Sequence, residues 1–205
     1  MPRGLFVSFE GIDRSGKTTQ ARLLVDALGE DALPVREPGG TAVGERIREL
    51  LKNPDLTIGP HAEALLFAAA RAELVAGVVR PALDHGRVVV SDRYVDSSLA
   101  YQGAARGLGV EEVARVNEWA TGGLVPDLTL LLELPPSEAG ARATAEDDRF
   151  EAEGAGLQER VRLAYEEIAL ANPERFRRVD AARSPEQVHA DVLKIVQTAR
   201  AEAAA

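Results

Sequence analysis

Cysteine is absent from this chain of 205 residues. Its absence excludes a disulfide framework, a thiolate metal site and a cysteine nucleophile. The three histidines, His61, His85 and His189, are spaced too widely to favour a histidine metal cluster. No apolar run approaches the roughly 18 residues of a membrane-spanning helix, and no secretory signal pattern follows Met1. We therefore expect a cytoplasmic protein that does not bind membranes.

Lysine is also scarce, because only Lys17, Lys52 and Lys194 are found among the 24 basic residues and the other 21 are arginine. The 33 acidic residues bring the net charge to −9, which disfavours a nucleic-acid-binding protein. Taken alone, this charge also disfavours anionic substrates. Arginine is nevertheless the side chain best suited to bidentate phosphate binding. The positions of the arginines therefore decide whether the chain can bind an anionic substrate.

The rest of the composition is typical of a globular protein, with 45% hydrophobic and 28% charged residues. A chain of this length buries enough surface to be stable without disulfides or structural metals. The length fits a single domain over residues 1–205.

Short apolar runs alternate along the chain with segments whose apolar residues recur at helical spacing. This alternation predicts an α/β fold, with a parallel sheet of about five strands and helices on both of its faces. The predicted strands are 5–9, 34–37, 87–92, 128–134 and 176–180. The predicted helices are 18–28, 42–52, 60–83, 96–102, 110–121, 157–171 and one that begins at Pro185. Pro81 either kinks the helix over 60–83 or begins a new turn. Residues 137–156 lack periodicity and predict a mobile surface segment.

Residues Gly11–Thr18 match G-x-x-x-x-G-K-[ST], directly after an apolar strand and before an amphipathic helix. Glycines at these positions let backbone N–H groups surround a phosphate at the positive end of the helix. Lys17 would reach the β- and γ-phosphates of a nucleotide and Thr18 would bind Mg²⁺. The base-reading N-K-x-D pattern of GTPases is missing. A small-molecule kinase and another P-loop ATPase remain as alternatives.

Charged residues also follow two other predicted strands, at the sheet edge where ligands bind in such folds. Asp92 is placed to hold Mg²⁺, directly or through water, and Arg93 could bridge two phosphates. Arg36 is a second candidate phosphate ligand, although a surface turn would explain it equally well. Phe67 and Arg71 lie four residues apart on one predicted helix face, where they could contact a base or simply join the core.

Together these motifs resemble the thymidylate kinases, a family of P-loop nucleoside monophosphate kinases. The resemblance extends from residue 5 to about 151 and rests on Phe9–Gln20, Arg36–Thr41, Phe67 with Arg71, Asp92–Tyr94, Ser98 with Tyr101–Gly103, and Asp148–Glu151. It implies transfer of the γ-phosphoryl group of ATP to dTMP, with Mg²⁺, by a homodimeric enzyme of three layers with a short lid at about 137–156. Kinases for other nucleoside monophosphates, and a non-catalytic ATP-binding regulator, are the alternatives.

The resemblance also implies residue roles. Phe67 would stack on thymine, Arg71 and Gln102 would contact the base, and Tyr101 would disfavour ribonucleotides. The implied ATP-binding residues are Gly11, Ile12, Asp13, Arg14, Ser15, Gly16, Lys17, Thr18 and Arg149. The implied dTMP-binding residues are Asp13, Arg36, Phe67, Arg71, Arg93, Ser98, Tyr101 and Gln102. The implied catalytic residues are Arg14, Lys17, Asp92 and Arg93, and the implied Mg²⁺ ligands are Thr18 and Asp92.

Members of the family differ in whether the cation of the transition state belongs to the P-loop or to the lid. This chain has Arg14 in the P-loop, whereas Arg142 is the one lid arginine before Arg149. The pattern resembles the subtype in which the P-loop arginine acts, and the role of Arg142 is left open.

Overall fold

A computed structural model describes residues 3–142 and 154–203 of the chain. Its centre is a sheet of five parallel strands in the order β2-β3-β1-β4-β5. The strands are β1 (Phe6–Glu10), β2 (Ala32–Arg36), β3 (Val88–Asp92), β4 (Leu128–Glu133) and β5 (Phe176–Asp180). The α/β fold and the parallel sheet predicted from the sequence are thereby confirmed.

Helices cover both faces of the sheet in the part of the chain that the structure describes. They are α1 (Lys17–Leu28), α2 (Ala42–Lys52), α3 (Pro60–Leu74), α4 (Arg80–Asp84), α5 (Val95–Ser98), α6 (Val110–Thr121), α7 (Pro136–Ala141), α8 (Ala155–Ala171) and α9 (Pro185–Ala203). None of the described helices is long and apolar enough to cross a membrane.

Alternating residues of the strands build a separate apolar cluster on each face of the sheet. Phe6 and Val89 pack against the side of the sheet that holds Leu74, whereas Val7 and Val90 pack on the side of Leu24. Because neighbouring strand residues point to opposite faces, strands covered on both sides are apolar throughout. All five residues of β1 are buried, which explains why an apolar run in the sequence predicted this strand.

The structure corrects the prediction of one long helix over 60–83. The helix is interrupted by a π-helical turn at Val75–Val79, and Pro81 lies within the first two residues of α4. A proline is tolerated there because its missing N–H has no partner in the first turn of a helix. A second π-helical segment, Leu99–Ala105, follows α5 where the helix 96–102 was predicted.

Other local signals are confirmed at the ends of helices. Ser184 Oγ accepts the N–H of Gln187 at 3.3 Å while Gln187 Oε1 accepts the N–H of Ser184 at 3.2 Å, as a capping box requires. Gly29 follows α1 with φ 63°. Part of the segment predicted to be irregular, 137–156, is helical, because α7 extends to Ala141 and α8 begins at Ala155.

Candidate active site

The P-loop lies at the carboxyl end of β1, between that strand and α1. Gly11 has φ 140°, and a Cβ on it would lie 2.6 Å from the carbonyl oxygen of Leu132, so only glycine fits. Lys17 is buried, and its ammonium donates to the carbonyl oxygens of Gly11 at 3.1 Å and Ile12 at 2.6 Å. Burial and the nearby Arg93 guanidinium lower the pKa of Lys17 to about 8. The loop therefore concentrates positive charge where a phosphate would bind.

Thr18, in the first turn of α1, meets Asp92, the last residue of β3. The Thr18 hydroxyl donates to Asp92 Oδ2 at 2.5 Å, and Asp92 ends β3, which pairs with β1. These are the hard oxygen ligands that Mg²⁺ prefers, and Mg²⁺ in phosphate sites usually takes one or two carboxylates together with substrate phosphates and waters. The described residues contain no cluster of three or more His, Cys, Asp or Glu suited to a metal. The donor set thus fits an ion that depends on a nucleotide for its remaining ligands.

Arg93 follows Asp92 and has an unusual left-handed backbone, with φ 73°. Its guanidinium donates to the Gly11 carbonyl at 3.3 Å and to the Ser97 hydroxyl at 3.1 Å. It also lies 5.1 Å from the centre of the Tyr101 ring, at cation–π distance. The arginine is therefore held at the junction between the P-loop and the helical segment that follows β3.

Asp13 is the charged partner of this arginine. Asp13 Oδ1 accepts from Arg93 Nη2, and Oδ2 accepts from the amide of Gln158 at 2.7 Å. Burial alone would raise the pKa of Asp13, but Arg93 and Lys17 outweigh it and the pKa is lowered. Asp13 is thus an anion that is fixed on both of its oxygens.

Arg71 is part of a second buried ion pair, with side chains of Arg71 and Glu37 only 1% and 3% exposed. Glu37 Oε2 accepts from Arg71 Nε at 2.6 Å, and Arg71 Nη1 donates to Ser98 Oγ at 3.1 Å and to Asn117 Oδ1. Arg71 Nη2 donates to the carbonyl oxygen of Tyr94 at 3.1 Å. The guanidinium is therefore fixed by protein groups on all three of its nitrogens. Its contact with a base remains a prediction.

The other residues predicted to bind dTMP have partners of their own. Arg36 donates to Glu45 at 3.0 and 3.2 Å in an exposed ion pair, and the amide of Gln102 donates to Glu63 at 2.9 Å. Phe67, on α3, is half-buried and packs against the small apolar cluster between α2 and α3.

A cavity of about 260 Å³ lies at the carboxyl ends of β1, β2 and β3 and brings most of the predicted site together. The predicted residues that line it are Asp13, Arg14, Lys17, Thr18, Arg36, Phe67, Arg71, Asp92, Arg93, Ser98, Tyr101 and Gln102. Arg48 and Lys52 also line it, although no motif in the sequence had pointed to these two cations of α2.

The remaining predicted residues lie beside this cavity or outside the described chain. Ser15 and Gly16 line a second cavity of about 520 Å³ with Arg142 and Arg183, and Gly11 and Ile12 line a third near the end of β4. Arg149, the Asp148–Glu151 motif and residues 143–153 of the predicted lid lie outside the residues that the structure describes.

Arg142 contacts the P-loop at Arg14, a residue that lines the first cavity with Arg93 and the second cavity with Arg142. Arg14 has φ 63°. The Arg142 guanidinium donates to the Arg14 carbonyl at 3.4 Å and to the Ala181 carbonyl at 2.9 Å. Arg142 thus braces the backbone at the position of Arg14.

Sequence reasoning missed the polar residues that hold these groups in place. Glu10 is fully buried and accepts from the Tyr94 N–H at 2.7 Å, the Ser97 hydroxyl at 2.6 Å and the Tyr165 hydroxyl at 2.7 Å. Burial, assisted by Asp96, raises the pKa of Glu10 to about 7. No motif marks these residues, because they become neighbours only when segments up to 155 residues apart in sequence fold together.

The parallel sheet, the P-loop and the cavity beside it define a P-loop phosphotransferase. The thymidylate kinase family model matches residues 9–192. The chain is 50% identical to a thymidylate kinase of Pelotomaculum thermopropionicum, over 95% of this chain and 94% of the relative. It is 49% identical to a thymidylate kinase of Symbiobacterium thermophilum, over 94% and 92%. The chain therefore belongs to the thymidylate kinase family.

Proposed function

We propose that this chain transfers the γ-phosphoryl group of ATP to dTMP, giving dTDP for dTTP synthesis. The observation that carries the proposal is the single cavity in which the P-loop lysine, the Thr18–Asp92 pair and Arg93 adjoin Phe67 and Gln102. A phosphate-binding loop and a base-sized apolar wall in one cavity suit a nucleotide acceptor. Family membership supports ATP as the donor.

In this proposal the chain supplies mainly positioning and positive charge, as phosphoryl transfer requires. Lys17 and Arg14 bind the donor phosphates, and Arg93 with Arg36 binds the acceptor phosphate. The acceptor oxygen of dTMP is already anionic, so the reaction needs no strong general base. Burial and the Arg93 guanidinium lower the pKa of Lys17, and phosphates bound beside it would favour its charged form.

Thr18 and Asp92 would hold Mg²⁺, which when bound offsets the negative charge on the β- and γ-phosphates. The short contact between the Thr18 hydroxyl and the Asp92 carboxylate supports this assignment, because two oxygen ligands already converge there.

At the other end of the cavity, Phe67 would stack on the base, while Arg71, Ser98 and Gln102 would form the wall that the base meets. Tyr101 would crowd the ribose 2′ position. Its ring is fixed beneath the Arg93 guanidinium, which supports a role in shaping the sugar subsite.

We also propose that residues 1–205 form one kinase domain and that two copies form a homodimer. A single sheet with strands from residue 6 to residue 180 supports the first point. The second is supported by exposed apolar side chains on packed helices, Trp119 on α6 at 88% and Leu65 on α3 at 58%. Sedimentation analysis tests it, since a protomer of 21.9 kDa should sediment at twice that mass and Trp119→Asp should shift it toward the protomer.

An assay of ADP release tests the activity directly. Wild type is offered dTMP, dUMP, UMP, CMP, AMP and GMP separately, with ATP and Mg²⁺. We expect dTMP to give the highest kcat/KM. Higher kcat/KM with another monophosphate would favour a kinase for that nucleotide, and ATP binding without turnover on any acceptor would favour a non-catalytic regulator.

A further inference from the structure

Helix α8 presents two polar side chains toward the P-loop. Gln158 and Tyr165 are seven residues apart, about two helical turns, and so lie on one face. Gln158 contacts Asp13, which pairs with Arg93. Tyr165 contacts Glu10, which is linked to Arg93 through Ser97.

Gln158 holds Asp13 at two points. Its Oε1 accepts the backbone N–H of Asp13 at 3.0 Å, and its Nε2 donates to Asp13 Oδ2 at 2.7 Å. Two hydrogen bonds from one amide fix both the backbone and the carboxylate of Asp13. The other carboxylate oxygen, Oδ1, is thereby turned to Arg93 Nη2.

Tyr165 reaches the same arginine by a separate route. Its hydroxyl donates to Glu10 Oε2 at 2.7 Å, and the same oxygen accepts from Ser97 Oγ at 2.6 Å. Ser97 Oγ in turn accepts from Arg93 Nη1 at 3.1 Å. Glu10 Oε1 also accepts the N–H of Tyr94, directly after the left-handed Arg93.

We infer that α8 positions Arg93 for the acceptor phosphate, with Gln158 acting through Asp13 and Tyr165 acting through Glu10 and Ser97. Each route ends on a different nitrogen of the guanidinium, Nη2 for Asp13 and Nη1 for Ser97. Nη1 also donates to the Gly11 carbonyl at 3.3 Å and Nη2 to the Tyr101 hydroxyl at 3.4 Å, so the plane of the guanidinium is fixed. Both residues are positioning residues, and the inference rests on the proposed function, in which Arg93 binds the phosphate of dTMP.

The test compares Gln158→Ala and Tyr165→Phe with wild type, measuring kcat, KM for dTMP and KM for ATP. Misplacing a phosphate ligand by a fraction of an ångström costs roughly an order of magnitude. We therefore expect Gln158→Ala to lower kcat/KM for dTMP about tenfold, with KM for ATP changed less than about twofold. Tyr165→Phe keeps the ring packed and loses only the hydroxyl, so its effect should be in the same direction and smaller.

Glu167→Ala is the matched control. Glu167 is also on α8, is exposed, and has no described hydrogen bond to Asp13 or Glu10. Its kinetics should equal those of wild type. A purely structural role for Gln158 predicts a lower Tm with unchanged kinetic constants, or equal changes in KM for both substrates, and either result would overturn the inference.

A double-mutant experiment distinguishes failure of this inference from failure of the proposed function. The Kd of dTMP is measured by calorimetry for Gln158→Ala alone and combined with Arg93→Ala. If Gln158 acts through Arg93, the loss of affinity should disappear in the Arg93→Ala background, whereas an equal loss in both backgrounds refutes the route. Wild type that fails to phosphorylate dTMP contradicts the proposed function, while an active wild type with an equally active Gln158→Ala variant overturns only the role of α8.

Discussion

The two sides of the P-loop are built differently. On the acceptor side, Arg93 and Arg71 pair with Asp13 and Glu37, and these side chains are between 1% and 17% exposed. Beside the second cavity, Arg142 is exposed and its described hydrogen bonds end on backbone carbonyls. Side-chain carboxylates thus fix the cations that would receive dTMP, whereas backbone carbonyls hold Arg142.

This difference suggests a division of labour. Buried ion pairs lose little entropy on binding because their geometry is set before the ligand arrives, and they are costly to break. We therefore expect acceptor-side changes to alter dTMP affinity and stability. In the proposed function Arg14 acts on the phosphates of the donor, so changes at Arg14 should alter kcat.

The largest effect is expected at Arg14. Arg14→Ala should lower kcat by roughly 10³-fold, the order found for arginine fingers, with little change in the Kd of dTMP. Arg14→Gly suits the backbone at φ 63° and separates loss of the side chain from strain. Steady-state kinetics at saturating dTMP and ATP measure the change.

Arg142→Ala is the comparison for that prediction, because Arg142 is the described lid arginine. If Arg142→Ala loses more of kcat than Arg14→Ala, or if both Arg14 variants keep most of theirs, the transition-state cation is not in the P-loop.

The next largest effect is expected at Glu10, whose protonation should make the free energy of unfolding depend on pH. Its pKa is raised from 4.5 to about 7 in the folded chain, so the folded state binds the proton more tightly than the unfolded state. The contribution of this carboxyl to stability is therefore present at low pH and is lost as pH rises toward 7, by on the order of 3 kcal/mol.

Glu10→Gln does not titrate and keeps the shape of the side chain. Urea unfolding at pH 5 and pH 8 should show the variant gaining stability relative to wild type at the higher pH. A stability difference that is the same at both values would mean that Glu10 does not have a raised pKa.

The smallest effect is on sugar selection by Tyr101. Tyr101→Ala opens space beside the ribose and should reduce the preference for dTMP over its ribonucleotide counterpart about tenfold, in the range that one small group commands. Tyr101→Phe keeps the ring under Arg93 and should keep the preference. The ratio of the two kcat/KM values is the measurement, and an unchanged ratio in Tyr101→Ala would exclude a role for the ring in sugar choice.

The sequence was sufficient where a signal is local. Glycine spacing located the loop at 11–18, apolar runs located strands such as β3 and β4, and Ser184 with Gln187 predicted a helix start. Neither the order β2-β3-β1-β4-β5 nor the π-helical turns can be read from such patterns, since tertiary packing decides them.

The residues that hold the site in place could not be predicted from the sequence for a related reason. Gln158 contacts Asp13 across 145 residues of sequence, and Asn117 contacts Arg71 across 46. Nothing in the local sequence of a glutamine or an asparagine distinguishes a surface residue from one that holds a buried arginine in place. The motifs therefore predicted residues that line the cavity, but not the residues that position them.

A crystal structure of the chain with dTMP and a non-hydrolysable ATP analogue would show whether the acceptor side is formed before dTMP binds. We expect dTMP in the cavity of about 260 Å³, with its base on Phe67, its phosphate on Arg93, and the Asp13–Arg93 and Glu37–Arg71 pairs intact. The triphosphate should lie on Lys17, beside Arg14. A dTMP phosphate bound away from Arg93, or ion pairs that break to admit it, would contradict the account of a preformed acceptor side.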